Sequence, residues 1–374
     1  MRVAFYAPLK PPGHPVPSGD RRVARLLLSA MRRAGHDVHI ASRLRAFDGD
    51  GDKSRQARIR NRGAALARRY VKKHCGDPPD LWFTYHLYHK APDWLGPVVS
   101  AALAIPYVVA EASVAPKRAA GPWAEGHAAT CDAVRDASRI LVLNPNDAEC
   151  LIPLLASESR LANLSPFLNT RVPRQAARAR ETHRAALAAQ YSLRLDVPWI
   201  AVAAMMRHGD KLESYRLLAQ AKRRLRDLPL SWLIAGDGPA RAEIETVLGA
   251  DDTFFLGALA AEDIDSLHAA ADIAVWPAIR EAFGMALLEA QATGLPVVAG
   301  ASPGVAQIVA NGKTGLLTPV GDVTMLADAV RRLAENPALR ECMRGAAMKK
   351  TEQVHDIDAA ARRIDIVLRE ALGT

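Results

Sequence analysis

Two carboxylates, Glu281 and Glu289, stand eight residues apart in the otherwise nearly apolar segment Arg280 to Gly300. "DIAVWPA" ends a strand near Ala278 and "IREAF" is the loop beyond it. A helix then starts at Gly284, runs from Met285 to Thr293, and stops at Gly294-Leu295-Pro296, the usual glycine-then-proline ending. Glu281 falls outside this helix, at the carboxyl end of a parallel strand, where open α/β sheets hold ligands. Glu289 falls more than one turn inside, among Met285, Leu288 and Ala292, on a face expected to be buried. An ionised carboxylate there costs several kcal/mol unless it is hydrogen-bonded. Two adjacent hydroxyls, such as those of a ribose, would satisfy both its oxygens. The free amides of Phe283, Gly284 and Met285 would turn the positive end of the helix toward an anion. Spacing alone leaves a second account open, in which Glu289 pairs with an arginine of its own fold and Glu281 is a solvated cap.

Other residues point the same way. "MMRHGDK" places Arg207 and Lys211 just past a strand end, where two fixed cations could neutralise a diphosphate without metal. "IAGDGPAR" is a strand, a tight turn and a helix entered at Pro239, and Gly236 and Gly238 would let backbone approach a ligand. The dinucleotide and ATP loop patterns GxGxxG and GxxxxGK[ST] are absent. Gly19, at the entrance of the first helix, is suited to approaching phosphate. "YHLYHKAPD" sets His86, Tyr88 and Lys90 at another strand end, where open α/β sheets hold ligands. His86 and His89 form only an HxxH pair with no third ligand, too little for a metal site. "DGDGD" at Asp48 to Asp52 fails as a calcium loop, because Lys53 and Ile59 stand where Gly and an acid are needed.

The elements that would position these groups follow from periodicity. Short apolar runs ("RVAFYAP", "LWFTY", "PYVVAEA", "RILVLN") alternate with helical stretches up to about residue 165. The alternation restarts at "WIAVAAM" and continues through "LSWLIAGDG", "TFFLGAL", "DIAVWPA", "LPVVAG" and "TGLLTP". Such alternation predicts βαβ units and parallel sheets. Residues 169–198, polar and rich in Arg and Ala, read as a connector with one helix. The expected division is 1–170, a linker at 171–197, and 198–354. With 374 residues and 49% hydrophobic content, two folded domains are the default.

Composition narrows the class. No apolar run approaches the length of a membrane span, and the N-terminus reads as a strand rather than a signal peptide. Four scattered cysteines suggest neither disulfides nor zinc, so a cytoplasmic protein is expected. The net charge of +9 favours anionic partners. Much of it lies between Ser42 and His74, in Arg58, Arg60, Arg62, Arg68, Arg69, Lys72 and Lys73. No aromatic interleaving or motif marks that stretch for nucleic acid, so it reads as a solvated basic helix, with peripheral contact to an anionic membrane as the alternative.

Over about Trp199 to Leu339, these motifs in this order resemble the donor-binding domain of nucleotide-sugar-dependent glycosyltransferases of the GT-B fold, family 4. The resemblance rests on "MMRHGDK", "IAGDGPAR", "FFLGAL", the E-x7-E stretch "EAFGMALLEAQATGLPVVA" and "GVAQIVANGKTGLLTPVGD". The first half resembles the family only in its alternation, in Gly19 and in "LSPFLN". The resemblance implies an α/β protein of two Rossmann-like domains facing across a cleft. Its C-terminal helix, 355–374, would cross back to the N-terminal domain. It further implies that Arg207 and Lys211 bind the donor diphosphate, that Glu289 binds the ribose and that Glu281 touches the transferred sugar. The amides of Phe283 to Met285 would face that sugar or the phosphates, and Gly19 would approach the diphosphate from the other domain. Transfer would occur with retention and without metal or other cofactor.

The first half departs from the family at "YVVAEAS", where Glu111 stands at the place of a common histidine or one residue away and becomes the acceptor-side catalytic candidate, with His86, Tyr88 and Lys90 as acceptor-binding candidates. "RHGDK" is also tighter than the commoner pattern. The expected activity is transfer of a hexose or related sugar from a nucleoside diphosphate to a hydroxyl of a glycan or lipid-linked acceptor. A nucleotide-sugar epimerase of the same fold is the alternative, and would need its own acid/base set in the N-terminal half. A sugar-nucleotide binder without activity is a third reading.

Overall fold

The computed structural model describes residues 1–16 and 18–373. The chain divides into two compact units, one formed by Met1–Ser165 with the segment from Ile357 onward, the other by Pro166–Asp356.

The first unit is built on six strands: β1 Arg2–Tyr6, β2 Asp37–Ile40, β3 Leu81–Tyr88, β4 Tyr107–Ser113, β5 Arg139–Val142 and β6 Leu161–Asn163. All pair in parallel, in the order β2-β1-β3-β4-β5-β6. Strands buried on both faces read as continuous apolar runs, and Val3 to Tyr6, Leu81 to Phe83 and Val108 to Ala110 are all fully enclosed. The helix Gly19–Arg33 follows β1, with Ser18 capping it by accepting from the Arg21 amide at 3.3 Å. The C-terminal helix Ile357–Leu372 packs along it, and Arg33 pairs there with Asp358. The basic segment is the helix Lys53–His74, of which only Gly63, Ala67 and Tyr70 are buried. No described helix is long and apolar enough to cross a membrane.

The second unit repeats the architecture with β7 Trp199–Ala203, β8 Ser231–Ala235, β9 Thr253–Gly257, β10 Ile273–Trp276, β11 Val297–Gly300 and β12 Gly315–Thr318. Its parallel order is β12-β11-β10-β7-β8-β9, the doubly wound arrangement in which succession reverses between β7 and β10. Loops leaving those two strands at their carboxyl ends therefore splay apart and leave a crevice. In the first unit the reversal falls between β1 and β3.

Residues 171–197 differ from expectation. They hold two helices, Arg171–Arg178 and Arg180–Tyr191, which pack on the helix Ala261–Ala270 within the second unit. The cause lies in arginines that composition alone makes look solvated. Arg180 donates to the carbonyls of Ala269 and Ala271 at 2.6 and 2.5 Å, and Arg184 to that of Ala270 at 2.8 Å. These are the orphan carbonyls at a helix end. Both arginines also bind the buried Asp272, at 2.7 and 3.0 Å.

Candidate active site

In the second unit the candidate residues gather at the β7/β10 reversal. The helix Asp210–Arg223 leaves the β7 loop, and Lys211, Ser214 and Tyr215 share one face of its first turns. Tyr215 donates to the Ala204 carbonyl at 2.9 Å and meets the Trp276 ring edge-on at 5.1 Å. Ser214 Oγ accepts from the Ile279 amide at 3.2 Å, tying the β10 loop to this helix. That loop is bent sharply, with Ala278 and Arg280 at φ of 58° and 46°, values costly for residues bearing a Cβ.

Glu281 sits at the centre. Its carboxylate lies 2.5 Å from Lys211 Nζ and accepts from the Trp276 indole N–H at 3.1 Å on the same oxygen. The ammonium also stands 5.1 Å from the centre of the Trp276 ring. Lys211 and Glu281, separate contacts in the sequence reading, are thus partners of each other. Trp276 was missed there, although its place at the strand's last position could have flagged it. Arg207 is exposed and makes no ion pair with a described residue.

The helix Met285–Ala292 begins where expected, with Gly284 as its N-cap at φ 65°. The amides of Phe283, Gly284 and Met285 donate to no described residue, as the first turn of a helix requires. Glu289, one turn on, is 7% exposed, which matches the buried carboxylate inferred from the pattern. The loop is held from behind by the start of the helix Pro303–Ile308. Ser302 Oγ donates to the Glu281 carbonyl at 3.2 Å, and a Cβ on Gly304 would fall 1.7 Å from the Ala282 carbonyl oxygen.

Gly236 and Gly238 have a packing task within the unit. A Cβ on either would strike backbone of the same unit, the Ala204 carbonyl oxygen at 1.9 Å or that of Met206 at 2.3 Å. They let the loops after β7 and β8 interlock, through Met206 N–H to Asp237 at 3.0 Å and Ala240 N–H to Met206 at 3.0 Å.

In the first unit a second cluster stands at the β1/β3 reversal. His86 and Glu111 lie at matching places on β3 and β4, at φ of 59° and 60°. His86 Nδ1 faces Asp20 at 3.2 Å and Glu111 at 3.5 Å. Burial alone disfavours the imidazolium, but the Glu111 and Asp20 carboxylates outweigh it and raise His86 to about 9. Burial pushes the Glu111 carboxyl up, against the pull of His86. Burial also opposes ionisation of Asp20, but its hydrogen bond and charge contact with His86 hold it below its usual value. Asp20 was not singled out in the sequence, though it follows Gly19 directly. Among the described residues, apart from its chain neighbours and its own helix backbone, nothing lies within 4 Å of where a Gly19 Cβ would be.

Tyr88 joins this cluster, its ring 5.4 Å from that of His86, but Lys90 does not. Lys90 Nζ turns to the Gly49 carbonyl at 3.2 Å and to the Trp123 ring at 4.5 Å. His89 also goes to Trp123, with ring centres 5.9 Å apart, so His86 and His89 do not converge. A residue step of one or three along a strand end that bends into a loop changes which neighbours a side chain meets. Among the described residues no group of three or more His, Cys, Asp or Glu is placed to hold a metal.

Two six-stranded parallel sheets with flanking helices, each carrying polar groups at its reversal point, define the GT-B fold class. Anabaena HepE in complex with UDP superposes at a TM-score of 0.75, with 16% identity over 99% of this chain and 100% of that one. Residues 202–350 match the family model described as glycosyl transferases group 1. In sequence the chain is similar to the alpha-D-kanosaminyltransferase of Streptomyces kanamyceticus, 32% identical over 51% of this chain and 50% of that protein. It is 40% identical to the D-inositol 3-phosphate glycosyltransferase of Kribbella flavida, over 30% of this chain and 27% of that protein. The chain thus spans half or less of the length of these curated relatives.

Proposed function

We propose that this chain is a metal-independent, retaining glycosyltransferase of family 4, transferring a hexose or related sugar from a nucleoside diphosphate to a hydroxyl. Its place is bacterial-type glycan or glycoconjugate synthesis in the cytoplasm, peripheral to the membrane where the acceptor is lipid-linked. The observation that carries the reading is the Lys211–Glu281–Trp276 cluster beside the open amides of Phe283 to Met285, at the sheet reversal of the unit that matches the transferase family model. The second unit is the donor side. Arg207, Lys211 and the helix start take the charge that develops on a departing diphosphate, which a cation or amide fixed in advance does at little reorganisation cost. Glu289 takes the ribose hydroxyls, and Glu281 orients the sugar while holding Lys211.

The first unit is the acceptor side. There Glu111 and His86 orient the incoming hydroxyl, with Asp20 as a positioning residue, and Gly19 leaves room for the diphosphate. Lys90 belongs to a different surface of that unit. The same His86–Glu111–Asp20 group also meets the need of the epimerase reading for an acid/base set in this half. One assay separates the two. Nucleotide sugars are incubated with and without hydroxyl acceptors, and the product's anomeric configuration is followed by proton NMR. The proposal expects acceptor-dependent product with the donor's configuration, in the presence of a chelator. An inverted product, or an epimer formed without acceptor, contradicts it.

A further inference from the structure

Trp276 is the buried member of the Lys211–Glu281–Trp276 cluster. It is the last residue of β10, and its backbone stands in register with Ala299 of β11. Tyr215 meets its ring edge-on at 5.1 Å, and the Tyr215 hydroxyl is anchored in turn on the Ala204 carbonyl at 2.9 Å. A strand and a buried neighbour thus fix the indole in place. Its two charged companions have no such anchorage. Their side chains reach solvent, Lys211 at 30% and Glu281 at 19% exposed. Glu281 also ends a loop with positive φ at Ala278 and Arg280, a conformation that persists only where its surroundings impose it.

An aromatic ring offers opposite ends to opposite charges, a positive edge and a negative face. Trp276 applies both to one ion pair. Its N–H, in the ring plane, donates to Glu281 Oε2 at 3.1 Å, while the Lys211 ammonium stands 5.1 Å from the ring centre. Lys211 is the other donor to that same oxygen, at 2.5 Å. An anion that draws the ammonium away therefore leaves Glu281 Oε2 with the indole alone.

We propose that Trp276 is a positioning residue of the donor side. It keeps Glu281 in place when a diphosphate takes Lys211, so that the carboxylate remains set toward the sugar. The inference rests on the reading of the second unit as the donor side. A carboxylate released by the lysine would otherwise turn to water. A charge-assisted hydrogen bond from a group that does not travel with the lysine prevents this and preserves the orientation on which transfer depends. The ring face meanwhile attracts the ammonium without neutralising it, which leaves its charge for the phosphates. Phenylalanine at this position would supply the face alone, and leucine neither end.

Nucleotide calorimetry and transfer kinetics on Trp276→Phe, Trp276→Leu and Glu281→Ala test this, with whichever of UDP, GDP and ADP the wild type binds. Trp276→Phe should keep diphosphate affinity within about twofold and lower kcat about tenfold or more, the effect of one hydrogen bond to a charged group. Trp276→Leu should in addition weaken the diphosphate about threefold or more, as the cation–π contact goes. With Glu281→Ala already present, Trp276→Phe should cost less than about twofold further in kcat, because its partner is gone. A loss that persists undiminished there comes from packing and overturns the proposal, as does wild-type kcat in Trp276→Phe. A second measure needs no substitution at Trp276. Its indole ¹⁵N–H signal, assigned through the contact with Tyr215, should move in Glu281→Ala and hold its place when nucleotide saturates the wild type. A signal indifferent to Glu281→Ala, or one that shifts on nucleotide binding to the position seen in that variant, also overturns the proposal. If the wild type binds none of the three nucleotides, the donor reading itself falls; if it binds one and these results fail, only the part given to Trp276 does.

Discussion

Lys211 and Glu281, 70 residues apart in the chain, meet with Nζ and Oε2 separated by 2.5 Å, and Trp276 donates to the same oxygen. The pair links the loop after β7 to the loop after β10 across the sheet reversal. On the proposed function, a diphosphate that takes the ammonium would compete with Glu281 for it, and the acid would then regulate the cation.

Glu281→Gln keeps the shape and the hydrogen bond from Trp276 but removes the competing charge. Affinity for the bare nucleoside diphosphate should hold or rise. Sugar transfer should fall by about 10²–10³ in kcat, the scale of losing one preorganised polar group. Calorimetry of the diphosphate beside steady-state kinetics checks this. Equal losses in both would show that Glu281 serves only to fix Lys211.

Two glycine variants should separate. Gly304→Ala drives a Cβ toward the Ala282 carbonyl oxygen, 1.7 Å away, so the loop carrying Glu281 must move. A loss of about 1–3 kcal/mol in stability is expected, together with donor binding. Gly19→Ala meets open space, so melting temperature should stay or rise slightly. If Gly19 approaches the diphosphate, the same variant should still weaken donor binding, by about tenfold, the effect of losing a little over 1 kcal/mol. Unchanged binding removes Gly19 from the site.

The His86 imidazole is raised to about 9 by Glu111 and Asp20 in spite of burial, against about 6.5 for the unfolded chain. A raised folded value favours the folded state fully below the unfolded value. That contribution is lost as pH climbs from about 6.5 through 9. Thermal stability of the wild type should therefore decline over this range more than that of His86→Gln. Parallel melting curves for the two would contradict the charged pair.

Asp272 is buried and accepts from Arg180, Arg184 and the Trp199 amide, the last at 2.8 Å. Asp272→Ala leaves two half-buried guanidinium groups without their acid. A loss of about 3–5 kcal/mol is expected, read as a lower urea midpoint for the second unit. A midpoint within error of the wild type would show that the carbonyl contacts alone hold these helices.

Much of this fold is written in local patterns. The apolar runs found both sheets, because parallel strands buried on both faces carry no alternation to misread. Glycine-then-proline placed the end of the helix that carries Glu289, and the burial of that carboxylate follows from its apolar neighbours. What escaped the sequence depends on distant contacts. Nothing near Arg180 or Arg184 reveals that a helix end and Asp272, some ninety residues on, await them. Lys211 gives no local sign of Glu281, nor Asp20 of His86. Gly236 and Gly238 carry the sequence mark of close backbone approach, and that mark does not name the Ala204 and Met206 carbonyls as what they approach. Lys90 was grouped with His86 by proximity in the chain, yet the bend after β3 sends it to Trp123.

The central claim is that the second unit binds a nucleoside diphosphate through Arg207 and Lys211 without metal. Titration calorimetry with UDP, GDP and ADP in excess chelator tests it most directly, on the wild type and on the Arg207→Ala, Lys211→Ala double variant. The account predicts saturable binding of at least one nucleotide by the wild type and a loss of about 3 kcal/mol or more in the double variant. Absence of binding by all three nucleotides, or binding undiminished in the variant, would contradict it.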